Sequence, residues 1–519
     1  MTLFPDFTRR DLLRLGAAGL AAGAAPLALR AQPSRGPLQI VGPWEIGGLA
    51  PAASGYVFTR MQIAETLLDA LDDGTPQAAL ARRWSVSADG LAWRFELRPA
   101  ARFHDGTPVT AAAVVRCLEA ARTPPALLSA APVRSIEAEG AAVVLIRLSA
   151  PFGGLPALLA HSSTLVLAPS SYRADGSVQA IVGSGPYRVS LLAPPQQVEA
   201  VAFEHYDGPR PAIGRVRYLV ASRPETRALM AESGQSDLAY GLDPASLQRL
   251  RRRGKVPVET VTLPRTVIVK LNAGLPALGD LRVRRALSLA IDRKGIALAV
   301  LRDPELAATQ LFPPTLRGWH DEGLPPLGHD PEAAARLLAE AGWRRAADGL
   351  RDPQGRPLTL ALRTFPDRPE LPIIATVLQE QWRLAGIAVK VNIGNSGDIP
   401  LGHRDGSLQL GLAARNYATV PDPTGTLAQD FGPQGGDWGA MGWRSAMLEA
   451  ALAELSRGGL PPGRLVQQRR QVAGVLQAEL PVIPIAWYRQ QVAVSARVSG
   501  VSLDPLERSY RLTQMRWQA

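Results

Sequence analysis

Residues Leu80–Arg122 read LARRWSVSADGLAWRFELRPAARFHDGTPVTAAAVVRCLEAAR, and this stretch decides the fold. From Leu91 to Arg98 the side chains alternate. Leu91, Trp93, Phe95 and Leu97 fall on one face, and Ala92, Arg94, Glu96 and Arg98 on the other. A period of two is the mark of a half-buried strand. Ser87-Ala88-Asp89-Gly90 is turn chemistry, so Trp84–Val86 is expected to pair back onto that strand as a hairpin. His104-Asp105-Gly106-Thr107-Pro108 makes a second turn. Thr110 then stands as the cap of a helix whose apolar positions are Val114, Val115, Leu118 and Ala121. The unit is a strand, a turn, a strand, a turn and a helix, and it carries no chemistry of its own.

Outward from this unit, the chain is long enough to hold two substantial cores, since single cores stop growing near ~250–300 residues. Its 519 residues are 46% hydrophobic and 20% charged, an ordinary globular balance, with a formal charge of +11. The basic residues are nearly all arginine; lysine occurs only at 255, 270, 294 and 390. The arginines come in short bursts (Arg249 and Arg251–Arg253; Arg282, Arg284 and Arg285; Arg469 and Arg470) inside helix-like patterns, which reads as solvated helix faces. The aromatic interleaving that binds nucleic acid is absent, so no nucleic-acid partner is expected. The single cysteine, Cys117, lies in the helix opened by Thr110 and is expected to be buried as a small apolar residue.

The signature resembles that of the solute-binding proteins of peptide, nickel and opine ABC transporters, roughly "LA-x-x-W-x-x-S-x-DG-x-x-(W/Y)-x-F-x-LR…F-H-DG-x-P". Further blocks resemble the same family in the same order. They are Ile181–Val189 (IVGSGPYRV), Phe203–Val220, Gly234–Ala239 (GQSDLA), Leu271–Arg293 with its LRVRRALSLAIDR run, and Asp330–Trp343 (DPEAAARLLAEAGW). In Leu281–Arg293 the positions Val283, Ala286, Leu287, Ala290 and Ile291 form one apolar stripe, with the arginines largely off it. Asp330 is placed to cap a helix, Pro331 to start it and Gly342 to end it. Other expected elements are a strand at Leu38–Val41, a helix from Tyr56 to Ala70, strands at Val143–Leu148, Thr164–Leu167 and Leu358–Arg363, a helix at Ile373–Leu384, and strands at Ile387–Asn392 and Pro481–Tyr488.

The resemblance implies an α/β, two-lobed periplasmic-binding-protein type II fold with an enlarged lobe I. Lobe I takes residues 35–265 plus 480–519, lobe II takes 266–479, and crossovers near the boundaries form a hinge. The N-terminal Thr8-Arg9-Arg10-Asp11-Leu12-Leu13-Arg14 resembles a twin-arginine export motif. The mildly apolar Leu15–Leu29 that follows is shorter than the ~20 residues that span a bilayer. Residues 1–31 are therefore read as a cleaved signal peptide, leaving a soluble periplasmic protein. The implied partners are a small-molecule or peptide ligand and an ABC permease in the inner membrane, with the protein acting as a monomer.

Chemistry is looked for and not found. Gly183-Ser184-Gly185 is a turn and not a hydrolase elbow. The six histidines (104, 161, 205, 320, 329, 403) are scattered singly without zinc spacing, and no phosphate-cradling loop occurs. No catalytic residue, metal site or cofactor is assigned; an exported hydrolase is the least favoured alternative. In peptide-binding members, an Asp in lobe II pairs with the ligand's α-ammonium. The matching segment here is Arg415–Pro423, where that position falls on neutral Thr419. A peptide-like solute is the leading reading, and a nickel–chelate or opine/metallophore complex is the alternative. Nickel-chelate members use arginines and a histidine, yet His161 occupies an expected arginine position and Gln429–Trp438 has no histidine. The candidate ligand-binding residues are Tyr56, Arg363, Arg415, Asn416, Tyr417, Thr419, Trp443 and Tyr488.

Overall fold

The computed structural model describes residues 36–518, apart from residues 125, 348, 367 and 434. The expected signal peptide, residues 1–31, lies outside the described residues. The alternating stretch forms strand Ala92–Leu97, with Trp93, Phe95 and Leu97 buried. It pairs antiparallel with Ala81–Val86, Trp84 opposite Phe95, and with Val143–Leu148. Val133–Glu139 completes a four-stranded sheet. The helix Ala111–Ala120 packs on this sheet, and its cap is Thr110, whose hydroxyl accepts from the Ala113 N–H. Cys117 is buried there, and burial pushes its thiol up, so it is a packing residue.

A ten-stranded mixed sheet runs through the rest of the chain. At its centre the two longest strands, Val258–Leu271 and Val482–Val494, pair antiparallel. On one side of them lie Leu410–Asn416, Thr359–Thr364 and Ala388–Ile393; on the other lie Leu238–Tyr240, Leu38–Gly42, Arg215–Val220, Gln197–Ala202 and Tyr187–Ala193. Both central strands are buried along most of their length. The register of the pair shifts between Leu263 and Thr266 and again between Val267 and Ile268. Such irregularities bend and twist a ladder locally.

Three sequence expectations differ. The helix expected from Tyr56 to Ala70 covers only Pro51–Arg60, and Leu68–Ala70 is a strand. Its apolar residues are nevertheless all buried, because they serve two cores. Phe58, Met61, Ile63 and Ala64 enter the core beside Leu38–Gly42, while Leu67 and Leu68 enter the one under the four-stranded sheet. One helix face cannot serve both. The chain turns at Gln62 (φ 52°), and the carbonyls of Gln62 and Ile63 accept from Tyr187 N–H and Gly185 N–H.

The strand expected at Thr164–Leu167 is likewise absent. Leu165 and Leu167 face one core, and Val166 and Ala168 the other. The N–H groups of Val166 and Ala168 donate to Glu65 and Val182, two separate segments, so no ladder forms. Finally, Arg284 is buried rather than on a solvated face. It donates to the carbonyls of Leu278, Gly279 and Glu479 at 2.8–3.0 Å.

Gly183-Ser184-Gly185 packs directly on the 62–64 backbone, where a Cβ at either glycine would collide with carbonyl oxygens. Ser184 donates to Glu65 Oε2 at 2.9 Å. The His104 Nε2 lies 3.0 Å from the Gly185 carbonyl oxygen, and burial lowers its pKa to about 4. Both features are structural.

Candidate ligand cavity

The turn at Gln62 opens a cavity of about 320 Å³. Its wall is assembled from segments far apart in sequence: Tyr56, Thr59 and Arg60 from the first helix, Glu65, Thr66 and Asp69 beyond the turn, and residues 160–162. Arg265, Asn416, Thr419 and Pro421 come from the region of the central strands, and residues 506–509 close it. Arg265 and Asn416 are register partners on neighbouring strands, which is why they arrive together. The volume is in the range of small-solute pockets, which run from ~300 Å³ upward.

Each wall carboxylate already has a partner. Glu65 takes two hydrogen bonds from Arg98, at 3.0 and 3.2 Å, besides the one from Ser184. Burial pushes its carboxyl up, against the pull of Arg98. Asp69 is paired with Arg508. Glu507 accepts from Arg265 at 2.8 Å and lies 3.9 Å from the Arg60 guanidinium. Burial opposes its ionised form, but Arg265 and Arg60 outweigh it and hold the carboxyl below its usual range. Arg60 also stacks over Trp44 and Tyr56, its guanidinium carbon 4.3 and 5.3 Å from the ring centroids.

Of the sequence candidates, Tyr56, Asn416 and Thr419 line this cavity. Tyr56 donates its hydroxyl to the Glu45 carbonyl at 2.7 Å, and Asn416 Oδ1 accepts from Ala418 N–H. The structure places the other five outside its lining. Arg363 donates to the Asp398 carbonyl and Ser407 Oγ. Arg415 makes a bidentate pair with Asp430 at 2.6 and 2.8 Å. Tyr417 is fully buried against Phe312. Trp443 Nε1 donates to Glu479. Tyr488 stands one layer back, its ring under Arg265 and Arg368 at 5.2 and 5.0 Å.

Sequence reading missed Arg60, Arg265, Glu65, Asp69, Glu507 and Arg508. For Arg265 the available signal was a charge just ahead of the apolar run Val267–Val269 in the buried half of the strand VETVTLPRTVIVKL. Among the described residues no cluster of three or more His, Cys, Asp or Glu is arranged to hold a metal ion. No described helix is long and apolar enough to cross a membrane.

Comparison with known proteins adds four findings. The family model described as bacterial extracellular solute-binding proteins, family 5 Middle, matches residues 75–438, more than half of the chain. The nickel-binding periplasmic protein of Escherichia coli K12 is 26% identical over 483 residues, covering 89% of this chain and 91% of its own. A probable D,D-dipeptide-binding periplasmic protein of the same organism is 26% identical over 84% of each chain. Among solved structures, NikA from Brucella suis in complex with Fe(III)-EDTA superposes with a TM-score of 0.85 at 24% identity, over 93% of this chain and all of that one.

Proposed function

The chain belongs to the bacterial extracellular solute-binding proteins of family 5, and from that premise we propose that it captures a peptide-like solute in the periplasm and delivers it to an ABC permease. Its fold is the two-lobed α/β type II binding-protein fold. In this reading residues 35–265 and 480–519 form lobe I and 266–479 form lobe II. The strands Val258–Leu271 and Val482–Val494 carry the hinge, and the twin-arginine segment directs export. The protein acts as a monomer, holds no cofactor, binds no nucleic acid and performs no catalysis.

The observation that carries the proposal is the cavity, whose wall draws polar groups from both proposed lobes. Tyr56, Asn416 and Thr419 contact the solute, with Arg60 and Arg265 beside them. Tyr488 supports Arg265 from behind. Arg363, Arg415, Tyr417 and Trp443 hold the fold and reach no solute. Closure is ligand-biased, because the closed state alone completes the contacts.

One observation favours the nickel–chelate or metallophore alternative. Thr419 brings no charge to the wall, and the wall carboxylates are all paired, so a ligand ammonium finds no free counter-ion.

Thermal-shift measurement on the mature chain tests both readings. A ligand at one hundred times its Kd stabilises by ~2.7 kcal/mol through mass action. Stabilisation by di- or tripeptides supports the first reading; stabilisation only by metal plus chelator replaces it with the second. Consumption of peptide or ester without any stabilisation refutes both.

A further inference from the structure

In the lobe assignment given above, Gly153 belongs to lobe I and Gly458 to lobe II, and the two backbones meet there. The Gly153 N–H donates to the Ser456 carbonyl at 2.9 Å. Ser456 stands in the last turn of the helix Ala446–Arg457, whose final carbonyls find no partner within the helix. A donor from the other lobe satisfies a group that this helix leaves open. Gly458 follows the helix at φ 74°, its own N–H turned back to the Leu455 carbonyl. A Cβ at Gly153 would lie 2.5 Å from Gly458 Cα, and one at Gly458 would lie 2.6 Å from Gly153 Cα. The approach leaves no room for a side chain on either partner.

Gly153 is exposed, and neither glycine nor Ser456 lines the cavity. Both sides of the contact nevertheless lead into the cavity wall. Gly154 opens the buried helix Leu155–Leu159, and the lining residues Ala160 and Ser162 follow it directly. On the other side, the helix Ala446–Arg457 packs on the helix Thr424–Phe431, which starts just after the lining residue Pro421. A second meeting of the lobes has the same form: Gly74 abuts the Pro421 carbonyl so closely that a Cβ would collide with it. Contacts of this kind bury no charged group, so they part readily, yet they form only at full approach. We propose, resting on the lobe assignment above, that Gly153 and Gly458 are the clasp of the closed state, so that the lobes reach their solute-holding geometry only while both positions lack a side chain.

The test uses the mature chain. Gly153 lies outside the left-handed region, so Gly153→Ala adds a methyl group without backbone strain, and the three atoms nearest that methyl belong to residues 457 and 458. Cysteines at the exposed positions Ala150 and Arg457 flank the clasp, while Cys117 is buried and spared. In Ala150→Cys/Arg457→Cys a bismaleimide spacer is expected to join the two positions within one chain, read by mass spectrometry of a protease digest. Adding Gly153→Ala should slow the joining about 5- to 10-fold, through the lost hydrogen bond and the smaller closed fraction. Gly153→Ala should unfold in urea at the parent's midpoint. Gly463→Ala, where a Cβ meets open space, should leave the joining rate at the parent's.

Dialanine, trialanine and nickel with L-histidine serve as solute probes. Any of them that the parent binds should speed the joining, and calorimetry should show it bound about 5- to 10-fold more weakly by Gly153→Ala. The inference is overturned if the cysteine pair is not joined, if Gly153→Ala leaves the joining rate or the probe affinity undiminished, or if that variant unfolds at a lowered urea midpoint. If the joining slows with Gly153→Ala but no probe speeds it or raises the melting temperature, the clasp stands while the peptide and nickel readings of the solute fall. If a probe binds and the joining is undiminished in Gly153→Ala, the clasp falls while solute capture stands.

Discussion

Replacing Arg415 separates a residue that holds the fold from one that holds the solute. Arg415 is the penultimate residue of the strand Leu410–Asn416, and its Nε and Nη2 donate to the two carboxylate oxygens of Asp430 at 2.6 and 2.8 Å. The Asp430 side chain is 2% exposed and that of Arg415 16%. In Arg415→Met the methionine retains most of the aliphatic stem but leaves a buried carboxylate without its main partner. Breaking a buried pair from one side costs ~3–5 kcal/mol. The lower end applies here, because Arg415 keeps some solvent and Asp430 can take up a proton. Burial already pushes that carboxyl up against the pull of Arg415, and losing the arginine pushes it further. We therefore expect a loss of ~3 kcal/mol in urea unfolding.

The pH dependence follows with a definite sign. The folded variant binds the Asp430 proton more tightly than the unfolded chain does, so its stability recovers as pH falls through the raised pKa. A double-mutant cycle with Asp430→Asn should return a coupling of ~2–3 kcal/mol. Affinity for whichever solute the parent binds should be unchanged once the folded fraction is accounted for. The reasoning is refuted if Arg415→Met unfolds like the parent and loses solute binding more than tenfold.

Three further outcomes are expected. Gly185→Ala forces a Cβ into the Gln62 carbonyl and should cost ~1–3 kcal/mol in urea unfolding, with no dependence on solute; a neutral result would mean the 62–64 turn shifts freely. Burial holds Lys270 at a pKa of about 7, below the usual lysine value, while its Nζ lies 2.9 Å from His403 Nδ1. The unfolded chain then binds more protons above pH 7, so the parent should gain stability relative to Lys270→Met as pH rises from 7 toward 10. His104 and His161 are both lowered to about 4 by burial. Their contribution is complete above pH 6.5 and is lost as pH falls toward 4. Unfolding free energies at pH 7, 5.5 and 4.5 should decline in that order, less steeply in His104→Gln.

The hairpin-and-helix unit from Leu80 to Arg122 could be read without a structure because every signal in it is local. Alternation places Trp93, Phe95 and Leu97, Asp89-Gly90 turns the chain, and Thr110 starts the helix within three residues of the N–H it caps. The same holds for Asp330, which caps the helix Pro331–Glu340. Residues 61–68 and 164–168 were misread for the opposite reason. The apolar side chains of the first divide between two cores, which one helix face cannot serve, and the backbone N–H groups of Val166 and Ala168 in the second go to separate segments, so no ladder forms.

The site divides along the same line. Residue pattern and family resemblance were enough to bring out Tyr56, Asn416 and Thr419 as candidates, and to show that an arginine expected near position 161 is missing. Arg415 has the side chain of a carboxylate-binding residue, yet Asp430, fifteen positions on, already occupies it. Arg60 and Glu507 meet across 447 residues, and Arg265 and Glu507 across 242. Sequence by itself determined the family and the elements with local signals, such as the Leu80–Arg122 hairpin and helix and the caps at Thr110 and Asp330, because those depend on neighbours a few residues apart. The charge balance of the cavity depends on which arginine meets which carboxylate, a pairing made only when distant segments fold together, and so tertiary structure alone decided it.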